Sequence, residues 1–234
     1  MTKRVLTKWI LYLICLVLLY FAGNQTAKWV ETLSQGKQKK GTPKAVVLID
    51  PGHGGVDPGK VGEGDICEKN INLEIAEKLK VLLEQNDICV YMTREVDKGL
   101  YDESADSKKN QDLKRRVAMM EDIKPDVVVS IHQNSFPDAS VRGAQTFYYD
   151  GSKAGKELAE AIQETLSQLP DSVKRVAKGN AEYYLLKKAS CPITIVECGF
   201  ITNREELRNL CDACYQEQIA WKIYMGIERY LAKR

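Results

Sequence analysis

Histidine is scarce in this chain, with two among 234 residues, and the net charge is only +2 because 34 Lys and Arg face 32 Asp and Glu. The basic residues form no concentrated patch, so the charge does not indicate nucleic-acid binding. The chain lacks internal repeats and low-complexity tracts, which excludes an architecture built from repeats. Its glycine-rich loop, Asp50–Gly59, has neither the G-x-G-x-x-G spacing nor the Lys-Ser/Thr ending of nucleotide-binding loops, which disfavours nucleotide binding.

Cysteine occurs seven times, but not in an arrangement that predicts disulfides. Cys15 lies in a hydrophobic segment near the N-terminus, and the other cysteines fall mostly within predicted helices and strands. Cys211-x-x-Cys214 has the spacing of a zinc or redox pair, but no second pair accompanies it. We therefore expect most of these cysteines to be free thiols.

The N-terminus carries a basic segment, residues 1–8, followed by an uninterrupted apolar and aromatic run, residues 9–22. A helix of this run would be roughly 21 Å long, short of the roughly 30 Å hydrocarbon core of a bilayer. The length fits either a secretion signal or a minimal membrane anchor. No small-x-small cleavage site follows, since Tyr20 stands two residues before Ala22, which favours an uncleaved anchor. The basic end would stay in the cytoplasm, so we expect the rest of the chain to be exported or membrane-anchored, outside the cytoplasmic membrane.

We divide the chain into residues 1–44, a signal or membrane anchor plus linker, and residues 45–234, a folded domain. The polar stretch 23–44 ends in Gly-Thr-Pro-Lys, which is typical of a tether before a first strand. The remaining length suits one α/β domain with a substantial core and is too short for two.

Strand-like and helix-like segments alternate along the domain, which predicts an α/β fold. In the first helix, Ile71, Ile75 and Leu79 recur at helical spacing. The predicted strands are residues 45–50, 88–93, 126–131, 144–149 and 193–196. The predicted helices are residues 68–85, 113–123, 153–169 and 216–231. We predict loops at residues 98–110 and 171–180 and a short strand or turn at residues 183–186.

Chemically active side chains follow three runs rich in β-branched residues. His53 comes after Ala45-Val-Val-Leu-Ile-Asp-Pro-Gly, His132 after Val127-Val-Val-Ser-Ile, and Glu197 after Ile193-Thr-Ile-Val. Runs of β-branched apolar residues that do not alternate with polar residues are typical of central strands covered on both faces. Sheets made of such strands place ligands at the strand ends. Two imidazoles and a carboxylate compose a metal or acid/base site and match the ligands of a catalytic zinc ion. An enzyme is therefore the leading hypothesis.

Each of these side chains also has an ordinary structural interpretation. His132 has the position of a satisfied buried histidine after a core strand, and Glu197 is either a base beside a metal or an ion-paired carboxylate. Glu68, at the predicted start of the first helix, complements the helix dipole. These alternatives stay open on local sequence alone.

Six separated motifs carry a family resemblance: Asp50-Pro-Gly-His-Gly-Gly-x-Asp-Pro-Gly59, Glu68-Lys69, Met92-Thr-Arg94, Leu113-x-x-Arg116, Ser130-Ile-His-Gln-Asn134 and Glu197-Cys-Gly-Phe-Ile-Thr-Asn203. In this order they closely resemble the zinc N-acetylmuramoyl-L-alanine amidases, over about residues 45–232. The resemblance implies that His53, Glu68 and His132 bind zinc and that Glu197 is the catalytic glutamate. It also implies a single α/β domain with a mixed, largely parallel central sheet flanked by helices.

The short chain, hydrophobic N-terminus and absence of wall-binding repeats resemble the sporulation amidases that act in making the spore cortex. This resemblance implies a peptidoglycan substrate, with removal of stem peptides before muramic-δ-lactam formation and germination. Some sporulation amidases depend on a partner lipoprotein, so a heteromeric partner is a hypothesis here. Two features depart from the family: Lys60-Val61 replaces small residues, and Cys67 and Cys198 flank the implied ligand and base, where their thiols would compete for metal or be oxidised.

Asn134 and Arg175 are the best candidates for substrate contacts, and Arg142, Lys174 and Lys178 are further ones; each also fits a solvated surface or turn position. Two other functions stay open. One is another zinc amide hydrolase, such as a carboxypeptidase or a polysaccharide deacetylase. The other is a membrane-tethered wall-binding protein with a vestigial site.

Overall fold

The structure, a computed structural model, describes residues 43–170 and 172–234. The predicted N-terminal signal or anchor and nearly all of the predicted linker lie outside the described residues. Among the residues described, no helix is both long and apolar enough to cross a membrane. Residues Pro43–Arg234 form one compact unit.

A six-stranded sheet in the order β2-β1-β3-β6-β4-β5 forms the centre of this unit. Its strands are β1 (Ala45–Pro51), β2 (Ile88–Met92), β3 (Val127–Asn134), β4 (Gln145–Tyr148), β5 (Lys178–Gly179) and β6 (Ile193–Phe200). Neighbouring strands pair in parallel, except β4 and β6, which pair antiparallel. The predicted mixed, largely parallel sheet is confirmed, and the carboxyl ends of β1, β3 and β6 meet at one edge.

Helices cover both faces of the sheet, as central strands of this composition require. They are α1 (Glu68–Glu84), α2 (Lys108–Ile123), α3 (Lys153–Leu166), α4 (Tyr184–Lys188), α5 (Arg204–Leu210) and α6 (Ala213–Leu231). Residues of α1, α3 and α6 form one core with Val47 and Ile49, while residues of α2 and α4 form a second core with Leu48. Val47 and Ile49 face one core and Leu48 faces the other because successive side chains of a strand point to opposite faces of the sheet.

The first helix forms as its spacing predicts. Ile71, Ile75, Leu79 and Leu83 all lie on its buried face, each with at most 2% of its surface exposed. The helix begins at Glu68, so the position predicted for this carboxylate is confirmed.

Several element boundaries differ from the prediction. Residues 183–186 are neither strand nor turn, because helix α4 begins at Tyr184. Helix α2 begins at Lys108 rather than 113, since its first turn faces solvent and carries no apolar residue that marks a helical period. Helix α5 was not predicted; its start is fixed by Asn203, whose side-chain oxygen accepts hydrogen bonds from the Glu205 and Glu206 N–H groups.

Strands β3 and β6 continue past their predicted ends, to Asn134 and Phe200. His132 and Glu197 therefore lie within strands, near their carboxyl ends, rather than directly after them. Inside a strand the backbone of each residue is held by the hydrogen bonds of the sheet, which fixes the direction of its side chain more tightly than a loop would.

Candidate metal centre

His53 lies in the loop that follows β1. Its backbone has a φ of 62°, in the left-handed region that residues other than glycine rarely adopt. Two buried arginines hold this loop: Arg94 Nη2 donates to the Gly52 carbonyl at 3.0 Å, and Arg116 Nη2 donates to the His53 carbonyl at 2.7 Å. The imidazole is therefore carried by a backbone that side chains from outside the loop hold in place.

Asp50 anchors one of these arginines at the end of β1. Its carboxylate is fully buried, forms an ion pair with Arg116 and accepts hydrogen bonds from Thr93 Oγ1 at 2.7 Å and Ser130 Oγ at 2.6 Å. Burial raises the pKa of Asp50, but the Arg116 cation and the two hydroxyls lower it by a larger amount, so the pKa is about 2. Asp50 therefore joins β1 to α2, to β3 and to Thr93, the residue that follows β2.

Glu68 bridges the two histidines of the chain. Its Oε1 lies 3.2 Å from His53 Nε2 and 3.0 Å from His132 Nδ1. Backbone N–H groups hold both oxygens: Gln133 donates to Oε1 at 3.0 Å, and Lys60 donates to Oε2 at 2.8 Å. The carboxylate at the start of α1 therefore does more than complement the helix dipole.

His132 reaches the same point from β3. Its ring centroid lies 5.0 Å from that of His53, with the two rings nearly perpendicular. The ring fits because residue 52 is glycine: a Cβ there would lie 2.2 Å from His132 Cε1. Thus the absence of one side chain in the loop makes room for the imidazole from the neighbouring strand.

These three side chains, called the metal group below, meet the requirements of a metal site. One donor atom from each of His53, Glu68 and His132 lies within 4.8 Å of the other two. Asp57 Oδ2 lies 3.0 Å from His53 Nδ1, which orients the ring with Nε2 toward Glu68, as carboxylates commonly do for metal-binding histidines. Two imidazole nitrogens and one carboxylate oxygen are the donor set of a catalytic zinc site.

The electrostatics of the group favour a cation at its centre. Burial lowers the pKa of His53, but the carboxylates of Asp57 and Glu68 outweigh it and raise the pKa to about 9. Burial raises the pKa of Glu68, but hydrogen bonds and charges from the two imidazoles outweigh it and hold the pKa well below its usual range. Positive charge is therefore stabilised between these side chains.

Glu197 faces this group from β6. It is the register partner of His132, is only 8% exposed, and its Oε2 has no hydrogen-bond partner among the described residues. Burial raises the pKa of Glu197. The charges of His132 and His53 lower this pKa, the charge of Glu68 raises it, and the result is a pKa of about 7. A carboxyl group with a free oxygen beside a metal group has the geometry of a general acid/base.

A cleft of about 560 Å³ opens over the metal group and Glu197. Asn134 lines it, as do Tyr183, Tyr184 and Leu185 at the start of α4. The side-chain oxygen of Asn134 accepts a hydrogen bond from the Ser135 N–H at 2.8 Å. Tyr184 and Leu185 belong to helix α4, which the sequence pattern does not predict.

Arg175 is placed differently from Asn134. It does not line the cleft; its Nε and Nη2 donate to the Arg142 carbonyl at 2.9 and 2.7 Å, and its guanidinium stacks over the Phe200 ring at 5.0 Å. Arg142 in turn pairs with Glu205 at 3.5 Å. The structure therefore joins these arginines to the end of β6 and the start of α5, and not to the metal group.

The cysteines of the described residues are free thiols. Cys198 is buried and its Sγ lies 3.7 Å from the Val196 carbonyl, while Cys67 Sγ lies 3.6 Å from the Asp65 carbonyl. Burial raises the pKa of the Cys198 thiol well above its usual range. Neither joins the candidate metal group of the described residues, so the geometry gives no support to competition for the metal.

The sequence is similar to known proteins along most of its length. The profile of the family described as N-acetylmuramoyl-L-alanine amidase matches residues 47–229. A germination-specific N-acetylmuramoyl-L-alanine amidase of Bacillus subtilis (strain 168) is 33% identical over 237 residues, which cover 97% of this chain and 96% of that protein.

Solved structures have the same fold. The CwlD amidase from Clostridioides difficile, solved in complex with the GerS lipoprotein, has a TM-score of 0.79 and 40% identity, covering 81% of this chain and 100% of that one. An N-acetylmuramoyl-L-alanine amidase from Clostridium difficile 630 has a TM-score of 0.72 and 33% identity, covering 81% of this chain and 97% of that one.

Proposed function

Because this chain belongs to the N-acetylmuramoyl-L-alanine amidase family, we propose that it is a zinc-dependent peptidoglycan hydrolase whose metal is held by His53, Glu68 and His132 and whose acid/base is Glu197. The bond cleaved is the amide between N-acetylmuramic acid and the L-alanine of the stem peptide. The observation that carries the proposal is the position of Glu68, whose carboxylate lies within 3.2 Å of both imidazoles while Glu197 stands opposite His132.

The chemistry divides between the metal and the protein. Zinc bound at this site supplies Lewis acidity, which polarises the amide carbonyl and makes water more acidic. The Glu197 carboxylate takes the proton of the attacking water, through the oxygen that has no other partner. Glu197 then passes that proton to the alanine nitrogen, because an amine leaves poorly unless it is protonated. Asp57 keeps His53 in the tautomer whose Nε2 is free to bind the metal.

We place this activity in spore-cortex maturation, where removal of stem peptides precedes muramic-δ-lactam formation and supports germination. Similarity to the germination-specific amidase of Bacillus subtilis over nearly the whole of both chains supports this role. The CwlD amidase, solved in complex with the GerS lipoprotein, supports a second part of the proposal, a partner lipoprotein. An N-terminal signal or membrane anchor would hold the domain outside the cytoplasmic membrane, where peptidoglycan lies.

Product analysis tests the proposed function. Purified protein, with and without added zinc and beside Glu197→Ala, is incubated with peptidoglycan, and the products are identified by mass spectrometry. We expect zinc-dependent release of stem peptides with a free L-alanine amine, and none from Glu197→Ala. Release of acetate or of single C-terminal amino acids would show a deacetylase or a carboxypeptidase instead. No release from a folded, zinc-loaded protein, with or without a co-purified lipoprotein, would support a vestigial site.

A further inference from the structure

The catalytic cleft carries two lysines that the proposed chemistry does not use. Lys60 and Lys109 both line it, together with the metal group and Glu197. Within the described part of the chain, neither ammonium group has a hydrogen-bond or ion-pair partner. By contrast, Lys108, the residue before Lys109, is paired with Glu103, and Lys69, next to Glu68, is paired with Asp97. Lys60 and Lys109 are thus cations that line the cleft without a protein partner among the described residues.

Lys60 extends from a rigid backbone beside a metal ligand. Its N–H donates to Glu68 Oε2 at 2.8 Å, and its carbonyl accepts from the Glu68 N–H at 2.8 Å. The next residue, Val61, bridges to Cys67 in an antiparallel pair. These bonds fix the start of the Lys60 side chain at one side of the metal group and leave its ammonium group free.

Lys109 belongs to a different element, the first turn of α2. Leu113, four residues later on the same helix face, also lines the cleft, and Arg116 on that face reaches the His53 carbonyl. The nearby Asp57 carboxylate is already bonded to His53 Nδ1 at 3.0 Å and to the Gly59 N–H at 3.1 Å. Asp57 is thus satisfied without forming an ion pair with Lys109.

The acidic groups of the cleft do not require these lysines. Asp57 and Glu68 are bonded to the two imidazoles, and Glu197 is buried in β6. A free cation on each of two elements therefore favours an anionic ligand from solution. The peptide of peptidoglycan supplies one close to the scissile bond, because alanine is followed by a glutamyl residue that is linked through its side chain and keeps a free α-carboxylate.

We propose that Lys60 and Lys109 bind this α-carboxylate of the stem peptide. They would make the enzyme prefer stem peptides whose glutamyl α-carboxyl group is free over those in which it is amidated. The proposal rests on the proposed amidase function, since the carboxylate reaches the lysines only when the scissile amide lies at the metal group. A charge-assisted hydrogen bond at a solvent-accessible cleft is expected to change kcat/KM about tenfold. Loss of the contact should raise KM and leave kcat nearly unchanged, because the contact is present in the bound substrate as well as in the transition state.

The test uses the full-length, zinc-loaded protein and two glycan fragments that differ only at this group, with the glutamyl α-carboxyl either free or amidated. The variants are Lys60→Gln, Lys109→Gln and, as a charge-conserving change, Lys109→Arg. Lys114→Gln is the matched control, because Lys114 is an exposed lysine of α2 outside the cleft. Initial rates are measured by chromatography of the released peptides.

We expect the ratio of kcat/KM for the acidic fragment to that for the amidated fragment to fall about tenfold in each Gln variant. Lys109→Arg should keep most of the ratio, and Lys114→Gln should leave it unchanged. An unchanged ratio in both Gln variants, or an equal loss on both fragments, would overturn the role of the lysines while leaving the amidase function intact. If the wild type cleaves neither fragment, the amidase function fails and the lysine proposal fails with it.

Discussion

His132 and Glu197 are register partners on the neighbouring parallel strands β3 and β6. Paired residues of adjacent strands point to the same side of a sheet, so the imidazole and the carboxylate reach one cleft without help from a loop. The other two members of the site, His53 and Glu68, come from a loop and a helix start. The strands thus fix His132 and Glu197 side by side, and the loop and the helix add His53 and Glu68 to His132 in the candidate metal group.

Replacing Glu197 with glutamine should separate catalysis from metal binding. The amide keeps the size of the carboxylate but does not accept the proton of the attacking water, so we expect kcat to fall by about 10²–10⁴. Zinc content, measured by atomic emission on the purified variant, should equal that of the wild type. Loss of zinc together with activity would instead make Glu197 a ligand or a structural residue.

Asp57→Asn should weaken metal binding without removing a ligand. The amide holds the His53 ring less strongly, and such changes beside a metal ligand typically lower affinity by about 10–100-fold. Competition with a chromophoric chelator measures the zinc affinity. Asp97→Asn is the control, since Asp97 accepts a hydrogen bond from the Gly55 N–H of the same loop but does not contact His53. Equal losses in both variants would show that Asp57 acts only by holding the loop.

Gly52→Ala should displace His132. The added Cβ would lie 2.2 Å from His132 Cε1, closer than two non-bonded atoms approach, so the ring has to move away from Glu68. We expect the variant to fold by circular dichroism but to lose most of its bound zinc. Gly64→Ala is the comparison, because its φ of 75° strains an alanine while nothing lies within 4 Å of the new Cβ. That variant should lose about 1 kcal/mol of stability and keep its zinc.

The pair of Asp50 and Arg116 should make stability depend on pH in the acid range. The pKa of Asp50 is about 2 in the folded protein and 3.8 in its reference state, so the unfolded chain binds the proton more readily. The stabilisation is therefore fully present above the unfolded value and is lost as the pH falls through the folded one. Linkage gives about 2 kcal/mol for this group.

Urea unfolding between pH 5 and pH 2, in roughly half-unit steps across this window, measures that loss. Asp50→Asn should be less stable at neutral pH, because Arg116 is then buried without its partner, and should show a shallower acid dependence. An acid dependence equal to that of the wild type would assign the effect to other carboxylates.

The sequence predicted the parts of the site that depend on local pattern. His132 and Glu197 follow runs of β-branched residues, and such runs identify central strands and their ends. The start of α1 at Glu68 also followed from local spacing. The contact of the Glu68 carboxylate with both imidazoles did not, because it depends on three segments meeting in space. The family resemblance implied only that Glu68 binds zinc.

Other features had no local signal. Helix α4 is only five residues long, too short to show an amphipathic period, yet its start at Tyr184 lines the cleft. The bond between Asp57 and His53 follows from the path of a glycine-rich loop, which sequence periodicity does not describe. The charge of Arg175 and its position in a loop make it a candidate for substrate contact, and the contacts that hold it against Phe200 are visible only in the folded chain.

The most direct test of the metal centre is an anomalous difference map from a crystal of the zinc-loaded protein, collected on both sides of the zinc absorption edge. We predict one strong peak bound by His53, Glu68 and His132, with zinc–nitrogen distances of about 2.0–2.1 Å and the Glu197 carboxylate beside it but not coordinated. A peak at Cys211 and Cys214 with none between the histidines, or a peak ligated by Glu197 in place of Glu68, would contradict it.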